Sequence, residues 1–186
     1  MQVAIAIVFA LVLSGEDFIV DASAETAYTV GLEADSLRNY VNDVATLARN
    51  MPGVVEIAPL PGGSYLYRTE RYMLLSGTVR TDFCISRVIS NDSLVFYRSV
   101  SLDDPNYFSL RLALEREGPS RTRIGVKVRV RLTRKDATDI HLLAPILGEE
   151  FISTKMKDDL DRMLDLFARR SGNELEQHLA WSPDEN

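Results

Sequence analysis

Residues 123–132 read RIGVKVRVRL, and residues 149–170 read EEFISTKMKDDLDRMLDLFARR. In the first stretch Ile124, Val126, Val128, Val130 and Leu132 alternate with Arg123, Gly125, Lys127, Arg129 and Arg131. That is the period of two that puts every second side chain on one face of a strand. In the second, Ile152, Met156, Leu160, Met163, Leu164 and Phe167 recur at helical spacing, with Lys155, Lys157, Asp158, Asp159, Asp161 and Arg162 mostly on the other faces. The period changes across Arg134-Lys135-Asp136 and the short stretch from His141 to Gly148. A half-buried strand followed by one amphipathic helix is therefore predicted, the helix running from about Glu149 to Arg170. At its usual rise it is roughly 33 Å long, enough to lie across a whole sheet.

Upstream, strand patterns are separated by turn signals. They cover Val54–Ala58, Ser64 to about Glu70, Thr78–Ile89, Leu94–Val100 and the alternating Phe108, Leu110, Leu112 and Leu114. The intervening turns are Pro59–Gly63, Ser76-Gly77, Ser90–Ser93, Asp103–Asn106 and Gly118–Ser120. With 123–132 these make six consecutive strands on short turns, an antiparallel meander. Before them, Thr26–Glu33 reads as a further strand with Tyr28, Val30 and Leu32 on one face. Ala34-Asp35-Ser36 then offers an N-cap to one or two short helices carrying Leu37, Tyr40, Val41, Val44, Leu47 and Ala48. Met51-Pro52-Gly53 ends them, since proline removes a donor and glycine permits reversal. Ser171-Gly172-Asn173 is predicted to stop the long helix, leaving 171–186 as a polar tail.

The N-terminus departs from this pattern. Val3 to Leu13 is apolar without interruption, too short to span a bilayer at about 20 residues. It has the length of a signal-peptide core, and Ala22-Ser23-Ala24 has the small-x-small form of a cleavage site. No Lys or Arg precedes it, however, and Glu16, Asp17 and Asp21 lie between. Three readings stand for residues 1–24: a signal peptide or anchor, a buried or docked segment, and a start codon assigned upstream of the true one. Residues 25–170 are expected to form the domain.

Composition narrows the function. The chain has 186 residues, 46% hydrophobic and 26% charged, with 27 acidic against 21 basic side chains and a net charge of −6. One soluble core is expected, and the acidic balance argues against nucleic acid as a partner. The single Cys84 cannot form an internal disulfide, and His141 and His178 share no metal-ligand spacing, so no metal or cofactor is expected. No phosphate loop, nucleophile elbow or zinc-protease motif occurs.

The order of a strand, short helices, about six antiparallel strands and a long amphipathic C-terminal helix resembles the helix-grip fold of the START-like, or SRPBCC, superfamily, including its polyketide cyclase/dehydrase-like branch. The break Asn50-Met51-Pro52-Gly53-Val54 is similar to that branch's passage from short helices to the second strand. The segments Phe151–Met156, Met163-Leu164 and Phe167–Arg170 are similar to its closing helix. The resemblance covers roughly Glu25 to Arg170 and implies an α+β domain in which a curved sheet of about seven strands wraps around the helix. It also implies a cytoplasmic protein, to which the apolar N-terminus opposes an extracytoplasmic or membrane-associated one.

A strongly curved sheet and one helix cannot meet everywhere, so such a fold leaves a cavity lined by inward residues. Phe108, Leu110, Leu112, Ile124, Val126, Val128 and Val130 are expected to face Met156, Leu160, Met163 and Phe167, with Tyr65 and Tyr67 contributing from their own strand. That lining suits a hydrophobic small molecule or lipid, although the same residues would also serve as an ordinary filled core. Binding without bond chemistry is the favoured reading. A cyclase-type enzyme is the alternative, using Tyr67 with Arg98 or His141 as a polar pair. Alternation allows only one of Tyr97 and Arg98 to point inward. A third reading takes Arg123, Lys127, Arg129 and Arg131 as a basic stripe meeting RNA, a membrane surface or an acidic protein, against a solvated face paired with neighbouring acids. The oligomeric state has no signal in the sequence.

Overall fold

The structure is a computed structural model, and the description covers residues 17–73 and 77–180. Seven strands, β1 (Phe18–Val30), β2 (Val54–Leu60), β3 (Ser64–Met73), β4 (Gly77–Ser90), β5 (Leu94–Ser99), β6 (Asn106–Gly118) and β7 (Arg121–Arg134), form one sheet. Its order is β1-β7-β6-β5-β4-β3-β2, with every neighbouring pair antiparallel. Helices α1 (Ala34–Asn42) and α2 (Val44–Asn50) follow β1, and α3 (Ala144–Ala180) closes the chain's described part. This is the expected helix-grip α+β architecture, with the six-strand meander in sequence order. Register shifts at Val54/Glu56, Arg87/Ile89 and Arg116/Gly118 interrupt the ladders, and such bulges bend and twist the strands that carry them.

The core follows strand parity. Phe108, Leu110, Leu112 and Leu114 of β6 and Ile124, Val126, Val128 and Val130 of β7 are all buried, facing Ile152, Met156, Leu160, Leu164 and Phe167 of α3. The opposite parity of β7 carries the charges. Arg129 is paired with Asp21 at 2.5 Å, Lys127 with Glu25 at 3.2 Å and Arg123 with Glu115 at 3.7 Å. Three of the four cations of the basic stripe are thus paired with acids on the flanking strands, while Arg131 donates to the Leu102 carbonyl.

Three boundaries differ from expectation. First, β1 begins at Phe18 rather than Thr26 and ends at Val30, so the division drawn between residues 24 and 25 falls inside a strand. Val20, Ala22 and Ala24 are buried while Asp21, Ser23 and Glu25 are exposed. The alternation is present, but small alanines give it little hydrophobic weight. Pairing with the long β7, from Phe18 opposite Arg134 to Val30 opposite Thr122, supplies what local propensity lacks.

Second, α3 continues through Ser171-Gly172-Asn173 to Ala180 instead of stopping near Arg170. Ser171 and Leu175 are buried, and the Cβ position of Gly172 is 3.9 Å from Cδ2 of Tyr28, so tertiary packing overrides the roughly 1 kcal/mol cost of a helical glycine. Glu174 accepts hydrogen bonds from the Tyr40 hydroxyl at 3.4 Å and from the Asn50 side-chain amide, tying this extension to α1 and α2. The first turn of α3 is set off at Gly148, whose φ of 78° and ψ of 166° leave the helical region.

Third, Glu33 caps α1 in extended conformation without a side-chain bond, and Ser36 lies inside the helix. Asp43 is a true side-chain cap, accepting from Ala45 N at 3.0 Å and from the Thr46 hydroxyl at 2.6 Å to start α2. The expected apolar run Val3–Leu13 and Trp181 lie outside the described residues.

Candidate ligand cavity

Where α3 leaves the sheet, the inward parity of β3 and β4 determines what lines the gap. Tyr67 pairs with Phe83, Thr69 with Thr81 and Arg71 with Val79, so these three pairs share one face. β7 adds Val130, Leu132 and Arg134 on the same parity as its core residues. The turn after β7 adds Asp139, Ile140, His141 and Leu143, and α3 adds Ile152, Met156, Asp159 and Leu160.

Arg71, Val79, Thr81 and Phe83 of the two strands, with the residues from β7, the turn and α3, line a cavity of about 520 Å³. Phe83, Val130, Ile140, Ile152, Met156 and Leu160 form its buried apolar part. Tyr72 at 75% exposure and Phe151 at 47%, together with Arg80 and Lys155, mark its solvent side. A smaller cavity of about 370 Å³ shares Phe83, Val130 and Leu160 and adds Tyr67, Phe108 and Met163. Tyr67, Phe83 and Phe108 form an aromatic cluster, with ring centroids 4.8 Å apart for Tyr67 and Phe108 and 5.4 Å for Phe83 and Phe108.

The sequence-derived lining divides in two. Val130, Met156 and Leu160 reach the larger cavity, while Tyr67, Phe108, Val130, Leu160 and Met163 reach the smaller. Leu110, Leu112, Ile124, Val126, Val128 and Phe167 pack inside the core, and Tyr65 packs against its edge. Sequence reasoning did not select Arg71, Phe83, Leu132, Arg134, Ile140 or Phe151. The alternation of β3 and β4 carried the signal for Arg71 and Phe83, but their inward parity becomes readable only once Tyr67 is known to be buried.

The polar candidates fall apart as a catalytic set. Tyr97 takes the inward position and donates its hydroxyl hydrogen to the Asn42 carbonyl at 2.9 Å, with burial pushing its phenol up to about 12. Arg98 therefore has the outward parity, and the expected pairing of Tyr67 with Arg98 is not formed. Arg68 is likewise outward, bound to Asp82 through two bonds of 2.7 and 2.8 Å and to Glu56. His141 Nδ1 accepts from Leu143 N at 3.0 Å, shaping the turn beside the cavity. Cys84 is partly buried on β4. Burial raises the Tyr67 phenol above its ordinary value, so at neutral pH it can donate a proton or hydrogen bond but does not act as a phenolate base. Among the described residues, no three His, Cys, Asp or Glu side chains come together as a metal site, and no helix is long and apolar enough to cross a membrane.

No family model matches the chain, and no curated protein does. Solved structures do. An aromatase/cyclase from a Streptomyces species is 17% identical with a TM-score of 0.61, over 86% of this chain and 96% of that one. A START superfamily protein from Mycobacterium smegmatis is 14% identical with a TM-score of 0.56, over 83% and 97%. The di-domain aromatase/cyclase of the steffimycin biosynthetic pathway is 12% identical with a TM-score of 0.59, covering 87% of this chain and 52% of its own. The present chain thus spans about half the length of that di-domain protein. At these identities the likeness shows the fold, which is the START-like helix grip.

Proposed function

We propose that the protein binds a hydrophobic small molecule or lipid in the cavity between the sheet and α3, and carries it without making or breaking bonds. The observation that carries this reading is the cavity of about 520 Å³, set against a buried apolar wall between the sheet and α3. A void of that size lined by Phe83, Val130, Met156 and Leu160 forfeits packing unless something occupies it, and its volume is that of a small-molecule site. Met156 and Met163 supply adaptable surface. Native mass spectrometry of the purified full chain, followed by solvent extraction, tests the proposal. A stoichiometric apolar compound is expected. An empty protein that also fails to take up hydrophobic fluorophores overturns the reading.

A cyclase-type enzyme is the second reading, supported by the neutral Tyr67 phenol on the smaller cavity's wall and by the aromatase/cyclases among the structural neighbours. Its test is the product distribution from a linear poly-β-ketone with and without the protein. Cyclisation that Tyr67→Phe abolishes would establish it; an unchanged distribution would remove it.

A further inference from the structure

We propose that the ligand of the larger cavity is an amphipathic anion, its hydrocarbon chain in the apolar interior and its carboxylate on Arg134. This rests on the hydrophobic-ligand reading above and adds the head group. Arg134 stands at the end of β7, continues the inward parity of Val130 and Leu132, and lines the cavity half-buried.

Its guanidinium is held by neutral acceptors alone. Nη1 donates to the carbonyls of Pro105 at 3.2 Å and Thr133 at 2.8 Å, and Nη2 donates to Oδ1 of Asn106 at 2.6 Å. Among the described residues Arg134 has no carboxylate partner, in contrast to the two other arginines on the same wall. Arg71 is bridged to Asp159 at 3.4 Å and Arg80 is bound to Glu70.

An arginine has five N–H donors, so the three bonds to protein leave two, the Nε–H and one hydrogen of Nη2, for a ligand. Two donors on a fixed planar group next to an apolar chamber suit a carboxylate, which can accept both. Lys155 adds a second cation on the same wall, also without an ion-pair partner among the described residues. The wall's own acids are Asp159, already engaged by Arg71 and Arg162, and Asp139, which is exposed to water. Neither is bridged to Arg134.

Calorimetric titration of the full chain with dodecanoate, 1-dodecanol and dodecyltrimethylammonium compares heads on one chain length. Dodecanoate is expected to bind about tenfold more tightly than the alcohol, with the cation weakest. In Arg134→Gln the two should agree within about threefold. Equal affinities for acid and alcohol in the unaltered protein overturn the head-group assignment and leave the cavity reading standing, without need of a variant. A preference that survives Arg134→Gln also overturns it. Failure of all three compounds in a protein that still takes up a hydrophobic fluorophore overturns this proposal alone, and failure of the fluorophore as well overturns the hydrophobic-ligand reading.

Discussion

The ring of Tyr67 on β3 lies stacked on the ring of Phe108 on β6, with centroids 4.8 Å apart and planes 28° from parallel. The two strands are not neighbours in the sheet order, so the contact is made across the sheet's concave side, where side chains from separate strands converge. Both rings are buried, and both face the smaller cavity. Phe108→Ala should lower the free energy of unfolding by about 3 to 5 kcal/mol, because the enlarged void cannot collapse against the rigid ladders. Urea denaturation measures it. A cost below about 1 kcal/mol would show that the cluster is not packed as described.

Val130 lies on the wall that the two cavities share. Val130→Phe places its extra volume in space that is otherwise vacant, so it should keep or raise the melting temperature while weakening hydrophobic-probe binding by about tenfold or more. Fluorophore titration beside a thermal melt separates the effects. Unchanged binding with an intact fold would place the ligand elsewhere.

A chain cut to begin at Glu25 loses Phe18–Ala24 from the β1 ladder and leaves the backbone of Val128–Arg134 with one unpaired edge. It also loses the bonds from Ile19 N to Glu149 at 2.6 Å and from Asp21 N to Ser153 at 3.3 Å, which join the strand to α3. Such a chain should be aggregation-prone or melt well below the full one, as exposed edge strands are. Equal melting temperatures would show that the first half of β1 contributes nothing to the fold.

Asp43 starts α2, and the Thr46 hydroxyl and backbone amides that bond its carboxylate hold it below the usual carboxylate range. A depressed folded value means that the cap's contribution is present above the unfolded value of about 3.9 and is lost as pH falls through the folded one. Asp43→Ala should therefore cost about 1 kcal/mol at pH 7, and the gap between variant and parent should close in strong acid. A gap independent of pH would assign the effect to something other than the cap.

Gly53 holds a φ of 82°, and a Cβ there would come within 3.2 Å of the Glu70 carbonyl oxygen. Its own carbonyl accepts from Glu70 N at 2.8 Å, fixing the turn into β2 against β3. Gly53→Ala should lose about 1 to 3 kcal/mol, read by denaturant midpoint, since both the dihedral and the close approach oppose a side chain.

The strongest periodicities determine the architecture from sequence alone. Alternation in Phe108–Leu114 and Ile124–Leu132 and the helical stripe from Ile152 to Phe167 each bury one face by local rules alone; all of these apolar residues are in the core except Leu132 and Met163, which are partly buried and pack against it. Strand parity is also local where one face is plainly apolar. It was not decidable at Tyr65–Arg68 or Tyr97-Arg98, because tyrosine and arginine can each stand on either side until a partner strand commits them.

What only tertiary structure decided depends on packing between distant segments. β1 reaches back to Phe18 because β7 offers it thirteen partners, and α3 runs on past Gly172 because Tyr28, Tyr40 and Asn50 receive it. The cavity is decided in the same way. A residue such as Leu110 or Val128 has the same local pattern as Phe108 or Val130, and the difference between filled core and cavity wall is where the helix departs from the sheet. That departure is a property of curvature and crossing, set by the whole sheet at once, and no window of sequence contains it.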